Sequence, residues 1–489
     1  MKFIESVDTF IVRSTFSYYI SRKRLPPGPF GLPLVGSLPF IKSDPLKTLF
    51  EWSKKYGPVI GLQLGNNPVV ILNDWPTIKE ALSMDTILDR PKHNFFTSVI
   101  PISFAALSGQ VWREQRKFTV HQLRNLGFGK TSMEDHIRRE ITHVCQKIDQ
   151  NIDRDFEFRK LFSLSISNNV SAFIFGRRLD YESSAKKVID EFLTPDPKLN
   201  LLSVFQFFPQ LVGFIFKYLH FLLPEDFRKT RLRVQYLTDY FRSEIKTHSQ
   251  TLDVNNNRDY IDAYLTEMQK SNISDNSTFN PNTLEGNTFA LFAAGSITTT
   301  TTLEWAMLAL ATYPDIQKRL QQEVDEVIGV NSIPEYGYRQ HMPYLQAFIH
   351  EIIRYRSISP INLPRCAIQD ITIGGHRIPK GTQIFVNFWS VENDPILWDK
   401  PSEFRPQRFL TNENTFQKPE HFTPFSYGKR SCPGEVLAMA ELFLYLTTFL
   451  QKYDILATDK TDKKLEYLFA FSLIPKHIPV IKFTKRNHQ

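Results

Sequence analysis

The sequence predicts a mainly α-helical protein with a minor β region, built as one large helical domain. Three observations carry this reading. From about residue 75 to 355 apolar residues recur at helical spacing between polar breaks such as Asn255-Asn256-Asn257 and Ser271 to Asn282. The β-prone runs are short and flank that region: Val59 to Leu64 and Val69 to Leu72 around the turn signal Gly65-Asn66-Asn67-Pro68, then residues 361–388 with a Gly374-Gly375 turn. No internal repeat, heptad run or long linker divides the 489 residues, although chains of this length often hold several domains. A long apolar helix is expected from about Cys432 to Tyr453, and strands close the chain.

Composition narrows the class. With 42% hydrophobic and 22% charged residues the chain buries a core without disulfides, and its 41 Phe and 18 Tyr are read first as core and second as the walls of a lipophilic cavity. The three cysteines, Cys145, Cys366 and Cys432, are too widely spaced for a disulfide framework or a CxxC metal pair, which places the folded part in a reducing compartment. A net charge of +8 spread along the chain, without zinc-finger or RNA-binding signatures, favours a membrane surface or an acidic protein over nucleic acid.

Residues 1–25 are set apart from residues 26–489. Lys2, Glu5, Asp8 and Arg13 interrupt any membrane span, while Phe3, Ile4, Val7, Phe10 and Ile11 recur at helical spacing, as in a short interfacial helix or a frayed surface helix. Ser21-Arg22-Lys23-Arg24 and Leu25-Pro26-Pro27-Gly28-Pro29 then read as a basic, stiff linker, its charge either meeting anionic headgroups or simply solvated. A second lipophilic stretch, Leu199 to Leu223, is broken by Pro209, Gly213, Lys217 and His220. It is expected to dip into the bilayer rather than cross it.

The sharpest chemical signal is Phe425-Ser426-Tyr427-Gly428-Lys429-Arg430-Ser431-Cys432-Pro433-Gly434. A cysteine at a helix start meets free N–H groups and the positive end of the dipole, which lower its pKa and suit it to a metal. Phe425 is placed over the sulfur, Gly428 and Gly434 beside a flat ring, and Arg430 against a carboxylate. This segment resembles, at every fixed position, the Phe-x-x-Gly-x-Arg-x-Cys-x-Gly haem loop of the cytochrome P-450 family. The resemblance runs from about residue 26 to 480 and is nearest to microsomal members of the mammalian drug- and fatty-acid-oxidising group.

Other segments gain meaning beside it. Glu351-Ile352-Ile353-Arg354 puts an acid and a base one turn apart, and with Arg408 in Pro406-Gln407-Arg408-Phe409 it resembles the family's structural ion network, with Gln407 where Glu is usual. Ala294-Gly295-Ser296-Ile297-Thr298-Thr299 resembles the oxygen-binding helix, which implies proton delivery by Thr298 and space beside the ring at Gly295. The plainer alternative is a hydroxyl bonded to the preceding turn. Ile297 departs from the family's usual acid, so Thr298 and water deliver protons alone, or the enzyme is slow or needs no oxygen activation. Trp112 and Arg116, with Arg90 and Arg365 by rough alignment, are propionate candidates; ordinary salt bridges are the alternative for the last two. His93, His121 and His350 show no ligand spacing and read as surface or core histidines.

The resemblance implies the P-450 fold around a buried haem b (iron protoporphyrin IX) ligated by Cys432, and insertion of one atom of dioxygen into a lipophilic substrate. It implies electrons from an NADPH-cytochrome reductase, with cytochrome b5 as a second donor, at the cytosolic face of the endoplasmic reticulum membrane. A haem-thiolate isomerase or dehydratase and a non-catalytic haem protein are the competing readings. Fatty acid, steroid, terpenoid and foreign compound all fit the apolar wall candidates, which include Phe289 to Thr298 and Phe469 to Leu473.

Overall fold

Helices occupy α1 Pro45–Tyr56, α2 Trp75–Ser83, α3 Gly109–Asn125, α4 Thr131–Asp149, α5 Phe158–Ile174, α6 Ser184–Leu193, α7 Glu225–Gln250, α8 Tyr260–Ser271, α9 Pro281–Thr312, α10 Pro314–Val327, α11 Pro343–Tyr355, α12 Phe388–Glu392 and α13 Glu435–Lys452. Strands are β1 Val59–Leu64, β2 Asn67–Leu72, β3 Asp155–Glu157, β4 Arg365–Cys366, β5 Ile371–Ile373, β6 His376–Ile378, β7 Gln383–Val386, β8 Tyr453–Ala457, β9 Tyr467–Ala470, β10 Ser472–Pro475 and β11 Val480–Lys485. The computed structural model describes residues 18–65, 67–91, 101–193, 225–271, 277–470 and 472–487. The interfacial stretch around Phe3 to Ile11, His93 and the lipophilic stretch from Leu199 to Leu223 lie outside the described residues.

Local sequence sets several helix starts. Asp44 opens α1 by accepting from the N–H groups of Leu46 and Lys47 at 3.1 and 3.2 Å, and Asn280 opens α9 by accepting from Thr283 N–H at 3.0 Å. In both, proline takes the next position, where no N–H is needed. At 32 residues α9 is about 48 Å long. It crosses an apolar cluster that also draws on α4, α5, α7, α10, α11 and α13, so it is buried almost all round. Some of its threonines are accommodated by hydroxyl bonds: Thr302 Oγ1 donates to Thr298 O at 2.9 Å, and Thr301 Oγ1 accepts from Arg159 of α5 at 3.0 Å.

The largest sheet has the order β1-β2-β7-β4, with β2 and β7 parallel and the other pairs antiparallel. It sets Arg365 on a short outer strand, and the bridge between Asp89 and Cys366 brings Arg90 beside it. Among the described residues no helix is long and apolar enough to cross a membrane.

The linker reading needs correction. Residues 18–23 are helical, and Arg22 is buried, donating to Pro26 O at 2.9 Å and Gly28 O at 2.6 Å. The proline run itself is docked on β1, where Gly61 N–H donates to Pro27 O at 2.9 Å. Burial of the guanidinium against carbonyls has taken one charge out of the cluster assigned to headgroups.

Glu351, Arg354 and Arg408 are joined in one ion network, with Glu351 and Arg354 buried and Arg408 at its partly exposed edge. Arg354 grips Glu351 with two bonds of 2.7 and 2.9 Å, Arg408 Nε adds a third of 3.0 Å, and Arg405 N–H a fourth of 2.8 Å. Arg354 Nη1 also donates to Glu392 O at 2.8 Å, and Arg408 donates to the carbonyls of Asp399, Lys400 and Glu403. Gln407 is exposed and outside this network, which explains why the usual Glu is dispensable there. Phe409, at the end of the same turn, packs with Trp398 and Phe422, carrying the network's geometry toward the cysteine loop. His350 is a core histidine as read: it bonds Gln346 O at 2.7 Å, and burial lowers its pKa to about 4. Glu351→Gln is expected to strand two buried guanidinium groups and cost about 3–5 kcal/mol, measured as a fall in the urea midpoint with unchanged slope.

Candidate functional site

Residues 425–434 form a tight loop ahead of α13. Cys432 N–H donates to Phe425 O at 2.8 Å, closing the loop, and Gly434 N–H donates to Cys432 Sγ at 3.4 Å. The helix proper begins at Glu435, three residues later than expected, with Gly434 as its N-cap. The sulfur therefore sits just before the helix, where its orphan N–H groups converge.

Cys432 lies deep in the protein, yet its side chain is exposed, so it opens on an internal space. Burial pushes its thiol up, against the lowering effect of the Gly434 and Glu435 amides and of Arg116. The expected depression of its pKa by the helix start is thus corrected: desolvation wins. A buried sulfur of this kind ionises readily only against a metal cation. Cys145, by contrast, is closed in the core with its thiol pushed up to about 11, and Cys366 is half-buried.

Two glycine roles are corrected. Gly428 has φ +75°, and a Cβ there would lie 2.3 Å from Leu82 O, so the residue seats the loop on α2 rather than against a flat ring. A Cβ at Gly295 would lie 2.7 Å from Val170 Cγ2; its smallness lets α9 approach α5 and opens no space. Gly434 has open clearance, its Cβ position being 3.8 Å from Cys432 Sγ. Phe425 packs against the large apolar cluster.

Around the loop the structure gathers cations. Arg430 donates to the carbonyls of Leu88, Phe104 and Leu107, at 2.9 and 3.3 Å for the first two, and stacks 3.8 Å above the Trp112 ring. Arg90 donates to Ala105 O at 3.0 Å and to Leu363 O and Pro364 O at 2.8 Å. Arg116 donates to Ser431 O, tying α3 to the cysteine. Burial first, and mutual repulsion second, lowers the pKa of Arg90, of Arg365 to about 10 and of Arg430 to about 9. Asp89 is the one acid that opposes this at Arg430.

The arrangement has donors to spare. Among the described residues Trp112 Nε1 and Arg365 Nε and Nη2 are buried without an acceptor, while Arg90 and Arg430 each keep N–H groups beyond those spent on carbonyls. Buried donors among unpaired cations fit an anionic ligand with two carboxylates, and the nearby sulfur fits a metal within it. Haem meets both requirements.

Between Thr283 and Thr312, α9 exposes only Ala294 and Thr298. Thr298 Oγ1 donates to Ala294 O at 2.7 Å, the local bond weighed as its plainer role, while its exposure leaves the oxygen free to accept. Ile297 packs against the apolar cluster, which accounts for an apolar side chain at that position. Phe289 and Phe292, expected in a cavity wall, are instead buried against Phe241. Several buried acids carry no motif that marks them in the sequence, among them Glu441 in the apolar run of α13 and Glu140 in α4.

The family model described as Cytochrome P450 matches residues 26–481. The chain is 35% identical over 479 residues to Cytochrome P450 2J3 of Rattus norvegicus, covering 96% of this chain and 93% of that protein. It is 36% identical to Cytochrome P450 2J2 of Homo sapiens, covering 95% and 92%, and 36% identical to Cytochrome P450 2D6 of Homo sapiens, covering 92% of each. A buried thiol beside a pocket of unpaired donors, on a fold matched nearly end to end, leads to one conclusion: the chain belongs to the cytochrome P450 family and is a haem-thiolate monooxygenase that works with a redox partner on lipophilic substrates at the endoplasmic reticulum membrane.

Proposed function

We propose that Cys432 supplies the sulfur ligand of the haem iron, and that Trp112, Arg116 and Arg365, with the spare N–H groups of Arg90 and Arg430, hold the propionates. The observation that carries this is the set of buried donors without acceptors at Trp112 Nε1 and Arg365 Nε and Nη2. When bound, haem supplies dioxygen activation, with thiolate ligation favouring O–O cleavage. The chain's own groups do the rest. The amides of Gly434 and Glu435 and the Arg116 guanidinium moderate charge on the sulfur, while Arg430 fixes the loop by its carbonyl contacts. Thr298 holds a proton at Oγ1 on the exposed strip of α9, where Ala294 leaves room. Glu351, Arg354 and Arg408 act only by holding the segment that leads into the loop.

Electrons come from an NADPH-cytochrome reductase, with cytochrome b5 as a second donor, on the cytosolic side of the membrane. Exposed Arg113, Lys117 and Arg124 on α3, with Lys130 and Lys429, lie on the elements that hold the cysteine loop and suit acidic electron-transfer proteins. Residues 1–25 form the membrane-contacting segment and residues 26–489 the catalytic domain. Supporting this, exposed Tyr19, Ile20, Phe30, Leu32 and Phe40 continue an apolar surface from the N-terminal segment onto the body.

Cys432→Ala is expected to abolish the red-shifted band of the reduced carbon monoxide complex; its retention removes Cys432 as the ligand. Trp112→Phe, which deletes one charge-assisted bond worth about 2 kcal/mol, should speed haem transfer to apomyoglobin roughly thirtyfold. Deleting residues 1–25 should weaken liposome flotation without ending it, because the apolar surface from Phe30 to Phe40 remains. Complete release or no change at all would each contradict that division.

A further inference from the structure

Beneath the exposed strip of α9 lies a chain of buried polar groups that crosses four structural segments. Starting from α4, Tyr181 donates to Glu140 Oε2 at 2.6 Å, and its hydroxyl adjoins Ser165 of α5. Ser165 Oγ and Tyr445 OH of α13 are 2.6 Å apart. One turn back along α13, Glu441 lies close enough to Tyr445 for its charge to raise the Tyr445 pKa. Glu441 Oε1 accepts from Asn169 Nδ2 of α5 at 2.8 Å, and its carboxyl adjoins Thr299, the neighbour of Thr298. At the outer end Arg178, which pairs with Glu140, lines a cleft of about 600 Å³ together with Asp135, Arg138 and His143.

Structural packing alone does not account for this chain. Glu441 Oε2, Asn169 Oδ1, Ser296 Oγ and Thr300 Oγ1 are buried without partners among the described residues, on three helices of one apolar cluster, and Ser296, Thr299 and Thr300 share one face of α9. Buried oxygens in this state are ordinarily bridged by internal water. Apolar residues of similar volume would be cheaper here. We propose that this chain, with internal water bridging Tyr445 to Glu441 and the buried face at Thr299 to the exposed strip, is the proton path of the enzyme, running from the α4 surface cleft through Glu140, Tyr181, Ser165, Tyr445, Glu441 and Thr299 to Thr298, and that it replaces the acid absent at Ile297. The proposal rests on the proton-delivery role given to Thr298 above.

The transfer is a relay of protons with no change of oxidation state in the chain. Glu441 gives its carboxyl proton toward Thr299, each hydroxyl or water passes one proton on as it receives one, and Glu441 is refilled from Tyr445 and ultimately from the cleft. Burial is the main influence on Glu441 and raises its pKa to about 8, with Asn169 and Thr299 opposing; no cation is among these influences. The carboxyl is therefore protonated at neutral pH and able to donate. Because the folded pKa stands above the unfolded one, stability falls as pH rises from the ordinary carboxylate range to about 8.

The test compares wild type, Glu441→Gln, Tyr445→Phe and Thr298→Ala, all haem-loaded, with reductase, NADPH and dioxygen and no added substrate. Dioxygen reduced by two electrons and two protons leaves as peroxide, and by four of each as water, so the peroxide released per NADPH reports failed proton delivery. Glu441→Gln and Tyr445→Phe should raise the peroxide-to-water ratio roughly tenfold, below the span of about 10²–10⁴ for outright loss of a general acid. Independently of turnover, wild type should show protonated-carboxyl infrared absorption lost as pH rises through about 8, and the wild-type minus Glu441→Gln difference should isolate the Glu441 component from that of Glu392, whose carboxyl burial also raises to about 8; the stability of Glu441→Gln should also fall less steeply with pH. If Thr298→Ala raises the ratio and Glu441→Gln does not, the path is overturned while the Thr298 assignment stands. If none of the three changes it, both are overturned.

Discussion

The structure depends on cations that have been buried without enough carboxylates to meet them. Arg90, Arg365 and Arg430 are all at least nine-tenths buried around the cysteine loop, and they lower one another's proton affinity. A protein interior tolerates such a group only when something of opposite charge arrives. Part of the debt is met by backbone carbonyls, seven of which accept from Arg90, Arg116 and Arg430. The remainder waits at Arg365 and Trp112, which have no acceptor among the described residues of the chain. Folding and cofactor binding are in this sense one equilibrium, and haem is as much a core component as any phenylalanine.

A second network of like composition solves the same problem differently. Arg354 and Arg408 share one carboxylate, Glu351, and five bonds to backbone carbonyls settle the rest. Nothing here is left open, and nothing here faces the internal space. The contrast separates a structural ion cluster from a ligand-binding one by a single criterion, whether every donor has found an acceptor within the chain.

Much of this was legible in the sequence. The helical stretch and the flanking strands follow from periodicity and turn residues, which are local, and the cysteine loop and the Glu351–Arg354 pair were legible through their resemblance to a family pattern. What was misread depended on partners distant in sequence. Gly428 answers to Leu82 O and Gly295 to Val170, neither of which any local pattern reveals. The Cys432 thiol was judged from the helix start alone, whereas depth of burial decides its direction. Glu441 was invisible for the opposite reason: one acid in Ala438-Met439-Ala440-Glu441-Leu442-Phe443 looks like an ordinary break in an apolar run, and only its zero exposure makes it unusual. The N-terminal basic cluster misled because a long arginine side chain can turn inward and bond carbonyls of its own linker.

Arg430 reaches across a gap in the chain order. Its bonds grip Leu88 on one side of residues 92–100 and Phe104 and Leu107 on the other, while the same residue belongs to the cysteine loop. The segment that ends at Arg90 and the one that leads into α3 are thereby tied to the cysteine loop as well as to each other, since Arg90 Nε donates to Ala105 O and Gly109 N–H to Asp89 Oδ1. Loss of the Arg430 guanidinium would therefore loosen the approach to α3 and the cysteine loop in one step, so that neither segment can drift in evolution without the other.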